Sequence, residues 1–364
     1  MKKILILCPY PEGRAAGQRL KYEQYFDDWI QEGYEITVSS FFSNETWDIL
    51  FEKGHLIPKV LGTISGYLRR LRDLFFLKDY ELVYIFLWVT PLGPPIFERI
   101  IRFLCRKVIY DFDDSIFLDH QQQRFIDIFK ENRDNKKLMG NSKPNFLIQT
   151  SNHVILSSPF NLAYCKKKNI FNNATYIPCT LDTKRFELKK NFENAVPVIG
   201  WTGTYSSIPY LESIKDVFYT LKELRDFKFT LITNFSYELP GIDLEVIQWN
   251  KESEIKDLHK IDIGIYPLIE DKWTLGKAGL KLIQYMAIGV PGVATNYGTA
   301  CNIIDSGKDG LLVKNKDEWV ESLCLLIDNE KLRVEIGKKA REKILKEYST
   351  DRNKIKYLDI LNSL

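Results

Sequence analysis

The sequence predicts an α/β protein of two doubly wound domains, each a parallel sheet with helices on both faces. Three observations carry this. Short apolar runs of strand length alternate with segments of helical period along nearly the whole chain, the pattern of a parallel sheet. The alternation comes in two sets, separated by the polar stretch Asp182–Asn194. A length of 364 residues is long for one core but natural for two domains of roughly 150–200 residues. Ligands of such sheets bind at the carboxyl ends of the strands, so the expected arrangement is two domains facing a central cleft. The expected divisions are 1–190, 191–346 and a C-terminal helical segment, 347–364, packed back on the first domain.

The first forty residues read as a βαβ unit. Lys3–Leu7 is a short apolar run and Glu35–Phe42 is rich in β-branched and aromatic residues, as buried strands are. Between them Gln18–Gln31 places Leu20, Tyr25, Phe26, Trp29 and Ile30 at helical spacing, and Gly33 stands where a C-cap would. Strands are expected next at Leu82–Phe86, Lys107–Tyr110, His153–Leu156 and Ala174–Ile177, with helices at Leu61–Phe76, Pro95–Cys105 and Pro159–Lys168. The second set has strands at Val196–Trp201, Phe229–Ile232, Leu244–Ile247, Ile261–Tyr266, Pro291–Ala294 and Leu311–Val313. Its helices are Ile208–Arg225, Leu280–Ile288, Lys316–Ile327 and Lys331–Lys346, with a last one at Ile355–Leu361. Asp119–Asn135 and Gly140–Asn145 are more polar and fit either an ordered helix or a flap over the cleft.

Hydrophobic residues make up 45% and charged residues 27%, a folded rather than a disordered composition. A net charge of +3 lacks the basic excess of a nucleic-acid binder. Cys8, Cys105, Cys165, Cys179, Cys301 and Cys324 are scattered, with no Cys-x-x-Cys pair and no His at ligand spacing. They read as buried hydrophobes in a reducing compartment, and no metal is expected. The apolar stretch after Met1-Lys2-Lys3 is stopped by Pro9 and Pro11, unlike a secretory leader, and no apolar run approaches the ~20 residues of a membrane span. The expected location is the cytoplasm, either free or at the inner face of the plasma membrane.

The segment Trp273–Thr295, WTLGKAGLKLIQYMAIGVPGVAT, carries the most chemistry. Gly276–Gly279 leads into a helix with Leu280, Ile283, Met286 and Ala287 as its apolar side, ended by Gly289. A glycine-bearing loop at a helix N-terminus presents free N–H groups and a positive dipole end, which suits a diphosphate. Lys277 and Lys281 add charge there, although cations at a helix start are mildly unfavourable unless an anion joins them. Gln284 lies on the same helix, placed for ribose hydroxyls.

These residues resemble the retaining GT-B glycosyltransferases of the large family four, whose Glu-x7-Glu loop-helix binds the sugar nucleotide. Gln284 stands at the second Glu, Gly279 at the conserved Gly and Gly276 at the first Glu, and QYMAIGVP follows the motif closely. The Gly-Lys-x-x-x-Lys spelling resembles a capsule and O-antigen branch of that family. Further resemblances cover most of the chain. Gly33 in EGYEITV matches a family turn, which puts Gly17 on the donor loop with Arg14 and Arg19 flanking it. SSPFNLAYCKKKN with YIPCTLDTKRF matches the segment closing the first domain, and YGTACNIIDSGKDGLLV matches a late motif with Asn302 at its Glu position. The family's Arg and Lys after the first strand of the second domain are replaced by GWTGTYSS. Lys277, Lys281 and Arg19 are the substitutes for the diphosphate, and Gly203, Thr204 and Ser206 are further donors. Ile247 and Trp249 fall where relatives grip the base; packing is the other reading of Trp249, as of Trp201.

The acidic run Asp111-Phe112-Asp113-Asp114 ends a strand and so points at the cleft. Its Asp-x-Asp would bind a divalent metal in the other transferase fold; a helix cap or Asx-turn is the structural reading. The third reading makes Asp113 or Asp111 the carboxylate that orients or deprotonates an acceptor hydroxyl. The segment 59–78 is amphipathic and basic: Val60, Leu61, Ile64, Leu68, Leu71 and Phe75 share one face, while Lys59, Arg69, Arg70, Arg72 and Lys78 supply charge. It reads as a domain helix with a solvated basic face or as a membrane-surface helix.

The resemblance implies a retaining, metal-independent transferase with no cofactor beyond its nucleotide-sugar donor. It would move a sugar to a hydroxyl of a growing, lipid-linked surface glycan. The alternatives are a non-catalytic partner subunit on the same Rossmann-like plan, motivated by Gly276, and a nucleotide-sugar epimerase. A nicotinamide dehydrogenase is disfavoured because Pro9–Gly17 carries no Gly-x-Gly-x-x-Gly.

Overall fold

The computed structural model describes residues 2–52, 54–118, 142–190, 192 and 194–364. The stretch expected to be a flap or helix at Asp119–Asn135 lies outside the described residues, as do residues 140 and 141. Ser142 onward forms the helix Ser142–Thr150.

Two sheets of six strands are present, all paired in parallel. The first contains β1 (Lys2–Cys8), β2 (Tyr34–Ser40), β3 (Leu82–Phe86), β4 (Val108–Phe112), β5 (His153–Leu156) and β6 (Ala174–Tyr176), in the order β2-β1-β3-β4-β5-β6. The second contains β7 (Val198–Gly203), β8 (Lys228–Thr233), β9 (Leu244–Gln248), β10 (Ile263–Tyr266), β11 (Gly292–Thr295) and β12 (Leu311–Val313), in the order β12-β11-β10-β7-β8-β9. Each predicted strand is present to within two residues at either end. The order reverses between β1 and β3 in one sheet and between β7 and β10 in the other. At such switch points neighbouring crossovers leave on opposite faces, which opens a crevice at the strands' carboxyl ends.

The chain forms two compact units. The first is Met1–Cys179 with Gly276–Ala278 and Lys354–Leu364, and the second is Thr180–Leu275 with Gly279–Asn353. The division therefore falls at Cys179, not at residue 190. Residues 180–190 are tied into the second unit: the buried Lys189 ammonium meets Asp262 at 2.6 Å, and Arg341 donates to the carbonyls of Thr183 and Phe186, each at 2.7 Å. The last helix, Thr350–Ser363, belongs to the first unit from Lys354 on, where the Tyr357 ring lies 4.8 Å from Tyr25 and Lys354 pairs with Asp28 at 3.0 Å. In the second unit Trp201, Leu211, Phe218, Phe229, Leu231 and Trp319 belong to one buried core, so Trp201 is a packing residue.

Three helical expectations are corrected. Gln18–Gln31 is not one helix but a short helix Ala16–Arg19, a 3-10 turn Glu23–Tyr25 and the helix Phe26–Gln31. The five consecutive residues Gln18–Tyr22 are all buried, which no single helix face can achieve. The predicted Ile208–Arg225 breaks at Ser213, whose hydroxyl donates to the Tyr210 carbonyl at 2.7 Å, leaving helices Ile208–Glu212 and Lys215–Lys222.

The third correction is an inversion. The helix predicted at Leu61–Phe76 spans Leu56–Phe76, and its polar stripe Lys59, Thr63, Arg70 and Asp73 is buried while Val60, Leu61, Ile64, Leu68, Leu71 and Phe75 are exposed. The solvated basic face expected of a domain helix is therefore not found. Gly66 lets the helix approach the sheet side closely, since a Cβ there would stand 2.6 Å from the Phe41 ring. Arg70 is 1% exposed and spends its guanidinium on backbone: it donates to the carbonyls of Cys8 (2.8 Å), Ser39 (3.0 Å) and Val89 (2.8 Å), with Asp73 as counter-ion at 3.1 Å. It thus pins the ends of β1 and β2 together, a role that needs a planar multi-donor cation.

Candidate functional site

In the first unit the loop after β1 is shaped by Gln18. Its amide accepts from Tyr10 N–H at 3.1 Å and donates to the Tyr10 carbonyl at 3.0 Å and to Glu23 at 3.0 Å, which folds Pro9–Gly17 back over the strand end. This brings Gly17 against the end of β4. A Cβ on Gly17 would stand 2.8 Å from Asp113 Oδ2, so only glycine leaves the carboxylate room. Arg19 is buried, whereas Arg14 is exposed and ion-paired with Asp48.

The two acidic candidates divide by environment. Asp111 is fully buried, holds an ion pair with the equally buried Lys21 and accepts from the Tyr84 hydroxyl. Burial raises its carboxyl pKa while Lys21 pulls the other way. Its side chain is spent inside the fold, so of the two expected catalytic carboxylates Asp111 is a structural group. Lys21 also donates to the Phe112 carbonyl at 2.7 Å, fixing the backbone that carries Asp113. Asp113 is half-buried, with Oδ1 accepting from Asp114 N–H at 3.0 Å. Burial and the adjacent Asp114 carboxylate push its carboxyl up to about 6, against the pull of Lys21. That places it where a proton acceptor for neutral-pH chemistry is effective. This local bond to Asp114 N–H is compatible with both the turn reading and the chemical one. Two residues on, Ser115 donates to Asn161 Oδ1 at 3.0 Å, and Asn161 Nδ2 is buried without a hydrogen-bond partner among the described residues. Gly276 counts with this unit; a Cβ there would collide with the Ser115 hydroxyl and stand 2.9 Å from its backbone nitrogen, which excludes a glutamate in this conformation.

In the second unit the switch-point strands β7 and β10 lead into the expected loops. Gly203 ends β7 and has no room for a Cβ beside the Trp201 ring; Thr204 is exposed and its hydroxyl lies 3.1 Å from that of Ser206. After β10 the chain reaches Gly279, which caps the helix Leu280–Ala287 with φ +74°. Glycine is required there twice, for that left-handed conformation and because a Cβ would meet Ile303. The helix thus opens with its first N–H groups free of intrahelical partners. Leu280 and Lys281 are half-buried, and the Lys281 ammonium sits 4.6 Å above the centroid of Trp201, an aromatic face that holds a cation in place; Lys277, also half-buried, counts with the first unit. Trp201, buried as core, thereby still positions a charged group. Among the described residues no group of three or more His, Cys, Asp or Glu could hold a metal ion.

Gln284 is buried and donates to Glu254 Oε1 at 3.2 Å, with Glu254 buried as well. A carboxylate from the helix Glu254–Leu258 thus lies beside position 284. Ile247 and Trp249 lie half-buried at the carboxyl end of the edge strand β9, where Trp249 N–H donates to the Thr233 carbonyl at 2.8 Å. Thr233 Oγ1 is buried without a hydrogen-bond partner among the described residues. Sequence reading missed Lys21, Glu254 and Asn161. Glu254 sits in the run KESEIKDL, which has the composition of a solvated surface turn, and Lys21 lay within a predicted amphipathic helix as one of its polar residues. No local signal marks either as buried.

Comparison with known proteins adds a family match for one segment and a fold for the chain. Residues 233–343 match the family model of the glycosyl transferases group 1. A poly(ribitol-phosphate) α-N-acetylglucosaminyltransferase of Staphylococcus aureus is 35% identical over 89 residues, 23% of this chain and 18% of that protein. The curated relatives are matched over only about a fifth of their own length. Over whole chains, the sucrose-phosphate synthase of Thermosynechococcus elongatus superimposes with a TM-score of 0.71 at 13% identity, covering 100% of this chain and 99% of the other. Anabaena HepE in complex with UDP-glucose gives 0.66 at 13% identity, with both chains covered in full. Two six-stranded parallel sheets with these neighbours are the GT-B fold, and the segment 233–343, which carries Glu254, Gly279, Lys281 and Gln284, is similar to the group 1 glycosyl transferases.

Proposed function

We propose that the protein is a retaining glycosyltransferase that moves a sugar from a nucleoside-diphosphate sugar to a hydroxyl of a growing, lipid-linked surface glycan. The observation that carries the reading is the capped helix Leu280–Ala287 within the family-matched segment. Its N-terminal N–H groups, with Gly203, Thr204, Lys277 and Lys281, take the diphosphate, and the Gln284–Glu254 pair takes the ribose hydroxyls. Ile247 and Trp249 take the base. Stabilising the leaving diphosphate is the main catalytic term, with no metal or cofactor required. Arg19 and Gly17 belong to the donor loop of the first unit; Arg14, occupied by Asp48, contributes little. Asp113 accepts the proton of the attacking hydroxyl, and the lower basicity of an ordinary aspartate is offset by its raised pKa.

The acceptor class is supported by the Staphylococcus aureus relative, whose name describes N-acetylglucosamine transfer to poly(ribitol-phosphate). The dispersed cysteines, four of them buried, support a cytoplasmic site of action. The test is thermal unfolding against UDP, GDP, ADP, CMP and NAD. Ligand at about 100 times its Kd adds roughly 2.7 kcal/mol, so one nucleoside diphosphate should raise the midpoint clearly. Nucleoside diphosphate release from the matching sugar nucleotide should then depend on added acceptor. Binding without release under any acceptor favours the non-catalytic subunit, and acceptor-independent conversion favours an epimerase.

A further inference from the structure

Two neighbouring helices of the first unit are inside out. Leu56–Phe76 buries Lys59, Arg70 and Asp73 and exposes an unbroken apolar stripe. Ile57 is 73% exposed, Leu61 60%, Leu68 61% and Phe75 77%. Ile96–Leu104 repeats the inversion, with Glu98 fully buried and Phe103 88% exposed beside Ile100 and Leu104. The helices are adjacent, since the Tyr67 ring of one lies 5.9 Å from Phe97 of the other. The buried charges do not face the interior unpaired. Arg70 has Asp73, and Glu98 has Lys143 at 3.9 Å, whose ammonium also donates to the Thr90 and Leu92 carbonyls at 2.9 and 2.7 Å. Rotating either helix to bury its apolar side would break these bonds, so the outward apolar face is a committed feature of the fold.

We infer that this two-helix face docks on an anionic lipid surface, lying in the plane of the membrane with its apolar stripe among the acyl chains. From Ile57 to Phe75 the stripe runs about 27 Å at 1.5 Å per residue, the shape of an in-plane contact rather than of a pocket. No helix among the described residues is long and apolar enough to cross a membrane. The charges decide between occupants. The two helices carry two acids, Asp73 and Glu98, and both are buried, whereas Arg99 and Arg72, the latter paired with Asp73 at 3.2 Å, are exposed, and Arg69 and Arg102, which donate to backbone carbonyls, are half-exposed. A second copy of the chain would set arginine against arginine across a two-fold axis. A bilayer with acidic headgroups matches both the apolar stripe and the one-signed rim. Such a surface would hold the enzyme where lipid-linked acceptors are, but the inference stands on the inverted helices and not on the transferase reading.

The test is co-sedimentation with phosphatidylcholine vesicles with and without 30% phosphatidylglycerol, at near-physiological salt. Partitioning should be at least tenfold stronger on the anionic vesicles. Arg72→Gln and Arg99→Gln should each weaken it about fivefold, and Leu68→Asp with Phe103→Asp at least a hundredfold. The thermal midpoint and the nucleotide-induced shift should be unchanged, because these side chains are exposed and far from any donor-site role. If the double variant unfolds, Leu68→Ser with Phe103→Ser serves the same purpose. Wild-type protein that ignores anionic vesicles overturns the proposal, as do folded variants that bind as well as wild type. A wild-type dimer in sedimentation that Leu68→Asp with Phe103→Asp dissociates would assign the face to a second copy instead.

Discussion

At the carboxyl ends of its strands the first sheet assembles formal charge, and the second assembles hydrogen-bond donors around a helix start. In the first, Asp111 and Lys21 are sealed beneath the surface and Asp113 rises above them with its carboxyl pushed up to about 6. In the second, Gly203 and Gly279 strip side chains away from the backbone, and Lys281 is held over an aromatic ring. The difference separates two tasks that one fold performs twice. A buried ion pair sets the position and proton affinity of a neighbouring carboxylate. A bare helix N-terminus with loosely tethered cations is complementary to an anion that comes and goes.

The comparison breaks most sharply at Asp113. Asp113→Asn should lower turnover by about 10²–10⁴-fold, the usual range for a positioned general base, with the nucleotide-induced shift in unfolding midpoint intact. Steady-state rates and midpoints on the same preparation decide it, and loss of nucleotide binding would mean the two sheets do not divide the work this way. Next in size is Lys21→Met, which leaves Asp111 buried without its cation. Removing one partner of a buried pair costs about 3–5 kcal/mol, read by denaturant unfolding at pH 8. The loss should shrink near pH 5, because Asp111, already pushed up by burial, takes up a proton once the lysine is gone. An equal loss at both pH values would make Lys21 a packing residue only.

The contrast also marks what local sequence can express. Strands were legible to within two residues because a fully buried parallel strand is a short continuous apolar run whichever neighbours it acquires. The helix cap at Gly279 was legible because a left-handed residue selects glycine at that very position. Which way a two-faced helix points was not. Leu56–Phe76 and Leu280–Ala287 both show helical period, yet the first exposes its apolar side and the second buries it. Arg70, Lys21 and Glu254 turn inward because of partners up to 91 residues away, as in the bond from Lys21 to the Phe112 carbonyl. A window of a dozen residues holds no trace of such partners, so a polar side chain defaults to a solvated reading.

In the second sheet the expected effects are smaller, since several donors share the anion. Lys281→Ala should weaken nucleoside-diphosphate binding by about 1–3 kcal/mol, the range for charge-assisted hydrogen bonds, measured by calorimetry, with stability little changed. Glu254→Ala and Gln284→Ala should each weaken binding in the same range and combine to less than their sum, because the two side chains are hydrogen-bonded to each other. Additive losses would separate Glu254 from the ribose assignment.

The smallest effect returns to Asp113, as stability. Its folded pKa of about 6 stands above the ordinary aspartate value of 3.8, so the native state binds the proton more tightly than the unfolded chain does. That preference stabilises the fold fully below about pH 4 and is lost as pH rises through 6. Wild-type stability should therefore fall across that window by on the order of 1–2 kcal/mol from this group. The ceiling of about 3 kcal/mol set by two pH units is reduced by its partial solvation. Asp113→Asn cannot ionise, so it should lack that part of the decline and be the more stable protein at pH 8 while being the less active one. Denaturant midpoints of both proteins from pH 4 to 8 would give the two curves. If they run parallel, Asp113 titrates as an ordinary surface carboxylate and the division of labour between the two sheets loses its electrostatic basis. Convergence at pH 4 with separation above 6 would instead tie the stability cost and the proton-accepting role to the same buried environment, built by Lys21 from below and by the space that Gly17 leaves above.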